Sequence, residues 1–113
     1  VAIGADSNDG NGSSSGHVRV YEFEPTTNTW AKLGFDIDGE GTGDLLGSSV
    51  SMSLEGTRVA VGAIYDDANG NNSGHVRVFE YSSSSDEWTQ VGSDVDGEAE
   101  YDNSGASVSI SSD

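Results

Sequence analysis

Val59-Ala60-Val61-Gly62-Ala63 restates Val1-Ala2-Ile3-Gly4-Ala5, and that restatement decides the fold. Working outward, Ser73-Gly74-His75-Val76-Arg77-Val78-Phe79-Glu80-Tyr81 restates Ser15-Gly16-His17-Val18-Arg19-Val20-Tyr21-Glu22-Phe23. Trp30 returns as Trp88, and Asp36-Ile37-Asp38-Gly39-Glu40 returns as Asp94-Val95-Asp96-Gly97-Glu98. Gly47-Ser48-Ser49-Val50-Ser51 returns as Gly105-Ala106-Ser107-Val108-Ser109. Every pair is separated by the same 58 positions without a gap (59 − 1, 73 − 15 and 88 − 30). A fixed period of this length marks a supersecondary unit that buries its apolar face by stacking on its neighbours. The chain therefore divides into a first repeat, 1–58, lacking its own first strand, and a second repeat, 59–113. Its two ends predict a segment of a longer array, or one built to meet further copies end to end.

Each unit holds four short β candidates. Ser49-Val50-Ser51-Met52-Ser53 alternates polar and apolar residues, the pattern of a half-buried strand. Leu54-Glu55-Gly56-Thr57 is a tight turn with Gly56 suited to a positive φ. Arg58 to Ala63 is the second strand, whose small residues permit close packing. His75 to Tyr81 is the third, and Trp88 to Val95 the fourth. In the first copy the fourth strand alternates, with Ala31, Leu33, Phe35 and Ile37 on one face. No helical periodicity occurs. The fold class expected is all-β: two tandem four-stranded antiparallel β-meanders resembling propeller blades.

Composition narrows the function classes. Sixteen glycines with abundant Ser, Asn and Asp supply turns rather than a broad core. The formal net charge of −16, with only Arg19, Lys32, Arg58 and Arg77 positive, repels nucleic-acid phosphates and anionic lipid. Neither nucleic acid nor membrane insertion is expected, and no apolar run approaches the roughly 18 residues of a spanning helix. Without cysteine there is neither a disulfide nor a thiolate metal site.

The residues that carry a family resemblance are Gly-x-Ser-Val-Ser, then a turn, then Arg-Val-Ala-Val-Gly-Ala, then Gly-His-Val-Arg-Val-Phe. Together they resemble the FG-GAP repeat of integrin α-chain propellers and their microbial and algal relatives. The resemblance implies a β-propeller architecture and an extracellular or cell-surface location. The chain departs from the family's pattern at two places. The proline that often follows Gly-Ala is Asp6 in one copy and Ile64 in the other. The family's acidic calcium loop is replaced by the short turn at Glu55-Gly56, so that calcium site does not carry over.

Several residues invite chemistry. Asp36, Asp38, Glu40 and Asp44, with their repeats Asp94, Asp96, Glu98 and Asp102, form an acidic motif that suits Ca2+, which takes six to eight oxygens. The same spacing serves a solvated strand end that deters edge pairing. The long loop after the second strand offers further cation ligands in Asn8, Asp9, Asp66 and Asp67, and carries two N-glycosylation sequons, at Asn11 and Asn71. His17 and His75 follow Ser-Gly at a strand start, where a backbone hydrogen bond is the expected role. Arg19 and Arg77 are expected to pair with carboxylates across strands. Trp30 and Trp88 suit packing better than sugar stacking.

No catalytic constellation accompanies these groups. The expectation is a non-enzymatic, extracellular structural or adhesive protein that associates with further copies of itself into a larger propeller, array or fibre. The alternative is a calcium-stabilised propeller fragment that binds a surface protein or a carbohydrate.

Overall fold

The structure is a computed structural model, and it describes residues 1–112. Two antiparallel sheets account for all its regular structure among these residues. The first contains β1 (Ala2–Ala5), β2 (His17–Glu24), β3 (Thr29–Lys32) and β4 (Ile37–Asp38). The second contains β5 (Leu46–Met52), β6 (Arg58–Ala63), β7 (His75–Ser82), β8 (Glu87–Gln90) and β9 (Val95–Asp96). The all-β expectation of two blade-like meanders holds. The sheets group Leu46–Met52 with the second copy, so each blade is one sheet.

The fourth strand differs from its expected form. It is broken into β3 and β4, and likewise into β8 and β9. Tyr21 pairs with Lys32 and Val18 with Ile37, so four residues, 33–36, stand opposite two. The extra residues are absorbed where Gly34 takes φ +72°, and Gly92 repeats this at φ +74°. The bulge breaks the alternation: Phe35 points to solvent while Ile37 is buried. Period-2 reading assumes an uninterrupted ladder, and a bulge resets which face a residue serves.

Strand pairing assigns the faces. In the first sheet Ala2 lies opposite Val20 and Gly4 opposite Val18, on the face that meets the second sheet. In the second sheet Val59 lies opposite Phe79 and Val61 opposite Arg77, on the face that meets the first. The core fills this gap: Val18, Ile37, Leu46, Val59, Val61, Ala63 and Phe79 are buried together, with Ala2, Val50 and Trp88 packed against them. It is a core between blades rather than within one, as expected of a repeat stabilised by its neighbours.

The blades meet at glycine. A Cβ on Gly4 would lie 2.1 Å from the carbonyl oxygen of Gly47, and one on Gly62 would lie 2.1 Å from that of Gly105. The glycine of each Val/Ile-Gly-Ala segment is thus required by the backbone of the following unit. The second contact shows that the segment from Ser104 lies on the second sheet as β5 lies on the first. Ser49 Oγ donates to Gly105 O at 2.6 Å, and Ile110 N donates to Ser51 Oγ at 3.2 Å.

Paired backbone outliers confirm how closely the copies agree. Ser14 and Asn72, Asn28 and Asp86, and Leu45 and Asn103 all take positive φ between 51° and 57°. Gly56 takes φ +74° in the β5–β6 turn, as expected there.

Candidate functional site

The acidic motif sits where the long loop after β1 or β6 meets the turn after β4 or β9. Two fastenings recur. Asn11 Nδ2 donates to Gly39 O at 2.7 Å, and Asn69 Nδ2 donates to Gly97 O at 2.8 Å. Asp44 Oδ2 accepts from Gly41 N at 2.8 Å, and Asp102 Oδ2 accepts from Ala99 N at 3.1 Å. The last carboxylate of each motif therefore caps its own turn.

The remaining carboxylates gather around the two histidines. Among the described residues, groups close enough to share an ion are His17–Asp36–Asp38, Glu40–His75–Asp94 and Asp66–His75–Asp96. Asp44, Glu98 and Asp102 stand outside all three. Asp66 comes from the long loop, whose carboxylates the sequence also offers as cation ligands, and both histidines stand outside the acidic motif.

The two centres differ in charge. In the first copy Arg19 grips Asp36 with two hydrogen bonds, at 2.9 and 3.1 Å, and Lys32 also pairs with Asp36. The Arg19 hydrogen bond leads in holding the Asp36 carboxyl down at about 2. Partial burial opposes the shift, while Lys32 adds to it. In the second copy Gln90 replaces Lys32, and Arg77 donates to Gln90 Oε1 instead, at 3.1 and 2.9 Å. Arg77 still reaches Glu40 at 3.3 Å and Asp94 at 3.6 Å, so both arginines pair with carboxylates as expected. Glu40 comes from the first copy's turn, which makes the second centre an inter-blade one.

His75 departs from its expected backbone bond. It is only 2% exposed, and its Nδ1 has no hydrogen-bond partner. Asp66 Oδ1 lies 3.2 Å from that nitrogen and Asp94 Oδ2 3.7 Å, but neither forms a hydrogen bond with it. Nearby, burial pushes the Asp44 carboxyl up, and the negative charge of Asp66 pushes it further. Sequence signals for this centre existed in the departures between copies, Asn8 to Asp66 and Lys32 to Gln90.

The tryptophans also differ. Trp88 Nε1 donates to Leu33 O at 2.9 Å, across the blade junction. Trp30, its repeat, is exposed.

With the blade junction described, the comparison with protein families can be placed on it. Residues 36–79 match the family model of the FG-GAP repeat. The FG-GAP match runs from β4 through most of β7, and so spans the junction where Gly47 closes on Gly4. The resemblance read from the Gly-x-Ser-Val-Ser and Val-Gly-Ala segments is thereby borne out. A comparison with curated proteins finds no match. No helix among the described residues is long and apolar enough to cross a membrane.

Proposed function

We propose that this FG-GAP-type chain is a non-enzymatic, extracellular structural or adhesive module whose blades stack head to tail with those of a second copy. One observation carries the reading. Val1 and Ile3 are 54% and 51% exposed, whereas their repeats Val59 and Val61 are fully buried against the neighbouring blade. The opposite face carries the complement: Val95 is 62% exposed, whereas its repeat Ile37 is 5% exposed. The chain thus presents both halves of the junction it already contains. Head-to-tail contact of this kind closes a ring or extends a fibre, depending on the angle per step.

The free edge of β1 supports the same arrangement. β6 pairs with β5 on one side and β7 on the other, while β1 pairs with β2 alone. The register of β5 on β6 carries over to Val108 opposite Ile3 and Ser109 opposite Ala2 of the second copy. Burying the half-exposed side chains of Val1, Ile3 and Trp30 contributes about 1 kcal/mol each. Sedimentation of the 113-residue chain over a range of concentrations is expected to show species heavier than 11.7 kDa, and Ile3→Asp to return the monomer. A monomer at every concentration would falsify the proposal.

The long loops carry exposed residues that suit a modified surface. Both sequon asparagines are exposed, and Asn71 is the better glycan acceptor because the Asn11 amide is engaged in fastening its loop to Gly39. Peptide mapping of material secreted from a eukaryotic host should find glycan on Asn71 and none on Asn11; the reverse occupancy would contradict this assignment.

A further inference from the structure

We infer that His75, Asp66 and Asp96 form a site for a divalent transition-metal ion of the zinc class, with Asp94 and the first blade's Glu40 as further carboxylates beside it. The site stands apart from self-association and lies wholly inside one chain.

Three independent observations converge on it. The first is the buried nitrogen. A side-chain nitrogen that is out of solvent and makes no hydrogen bond is rare in a folded protein, and an ion is one of its few explanations. The second is geometric. Zinc holds imidazole nitrogen and carboxylate oxygen at about 2.0–2.2 Å, which sets a tetrahedral N···O edge near 3.4 Å. Asp66 Oδ1 lies 3.2 Å from His75 Nδ1, close to that edge, and His75, Asp66 and Asp96 offer ligand atoms that all lie within 4.8 Å of one another.

The third is the contrast between copies. The first centre balances Asp36 and Asp38 against Arg19 and Lys32. The second sets Asp66, Asp94, Asp96 and Glu40 against Arg77 alone. Asn8 has become Asp66, Lys32 has become Gln90, and the neighbouring blade adds Glu40, each change making the centre more negative. Arg77 lies toward Glu40 and Asp94, which leaves Asp66 and Asp96 as the carboxylates with no guanidinium on them. The mixed nitrogen and oxygen donors select the ion. Imidazole suits zinc, copper and nickel, whereas calcium and magnesium prefer oxygen alone. Held there, the ion would tie the β6–β7 loop to β7 and β9.

The test uses the chelator-stripped 113-residue chain, titrated separately with ZnCl2 and CaCl2 by calorimetry and in thermal melts. One Zn2+ per chain and a melting point raised by several degrees are expected, because an ion that binds only the folded state stabilises it. Asp66→Asn copies the first centre's own residue and is expected to fold normally and to weaken Zn2+ binding about tenfold or more. Asp102→Asn, at an exposed turn, should leave binding unchanged. Absence of Zn2+ binding, equal binding by Asp66→Asn, or displacement of Zn2+ by equimolar Ca2+ would each overturn the site.

Discussion

Gly4→Ala is expected to destabilise the chain by about 3 kcal/mol, lowering the melting point by more than about 10 °C. The added methyl would occupy the position of the Gly47 carbonyl oxygen, 2.1 Å away. Backbone cannot give way as a flexible side chain can. The blades must separate, and the core between them loses contact with Val18 and Ala2. Gly4 does not need glycine for its φ, so alanine would otherwise be neutral or slightly favourable in a strand. The sign of the effect therefore isolates blade contact. Gly62→Ala supplies the control. Its methyl meets the Gly105 carbonyl at the same 2.1 Å, but Gly105 belongs to a terminal segment with no strand of its own. No residue of that segment belongs to the core between the blades, so Gly62→Ala should cost less folding stability while abolishing association. Denaturant melts of both variants check this, and a Gly4→Ala midpoint within about 0.5 kcal/mol of the parent would disprove the close approach.

Much of the fold was legible because the repeat is gapless. The offset placed the strand Arg58–Ala63 with its observed bounds, put Gly56 in its turn, and identified the small-residue strand as a packing surface. The face assignment was less legible. Val59 and Val61 turn toward the first blade and Ala60 away from it, and no single-strand pattern says which neighbour each face will meet. The bulge at Leu33–Asp36 was hidden for a different reason. Ala31, Leu33, Phe35 and Ile37 alternate so regularly that the pattern conceals Gly34, whose positive φ puts Phe35 into solvent.

At the site, pattern matching selected carboxylates by their spacing, whereas the structure gathers groups by their distance from a histidine. Asp66 lies 30 positions before Asp96 and joins it only because β9 pairs with β7 beside the β6–β7 loop. The useful signal was not what the two copies share but where they differ. Shared residues report the fold, and the substitutions of Asn8 by Asp66 and Lys32 by Gln90 change the charge of one centre while leaving the fold intact.

The same contrast between copies separates the two tryptophans. Trp88→Ala is expected to cost about 3 kcal/mol of folding stability. Its indole lies against Gly34, where an added Cβ would come within 2.8 Å of Trp88 Cδ1, and its N–H bonds to Leu33 O. Asp86 reinforces the junction by accepting from Gly34 N at 3.1 Å and from the Tyr81 hydroxyl at 2.7 Å. Trp30 has the same ring partner within its own blade: it lies 5.2 Å from Phe23, as Trp88 lies 5.3 Å from Tyr81. What it lacks is the neighbouring blade. Gly92, the repeat of Gly34, has open space where a Cβ would project. Trp30 of one copy and Gly92 of another are thus the two unfilled halves of the contact that Trp88 and Gly34 make. Trp30→Ala should leave the dilute monomer's melting point nearly unchanged and remove association at high concentration. Melts at low concentration and sedimentation at high concentration read the two effects separately. If Trp30→Ala destabilised the monomer as much as Trp88→Ala, the indole would be serving its own blade, and head-to-tail stacking would lose its anchor.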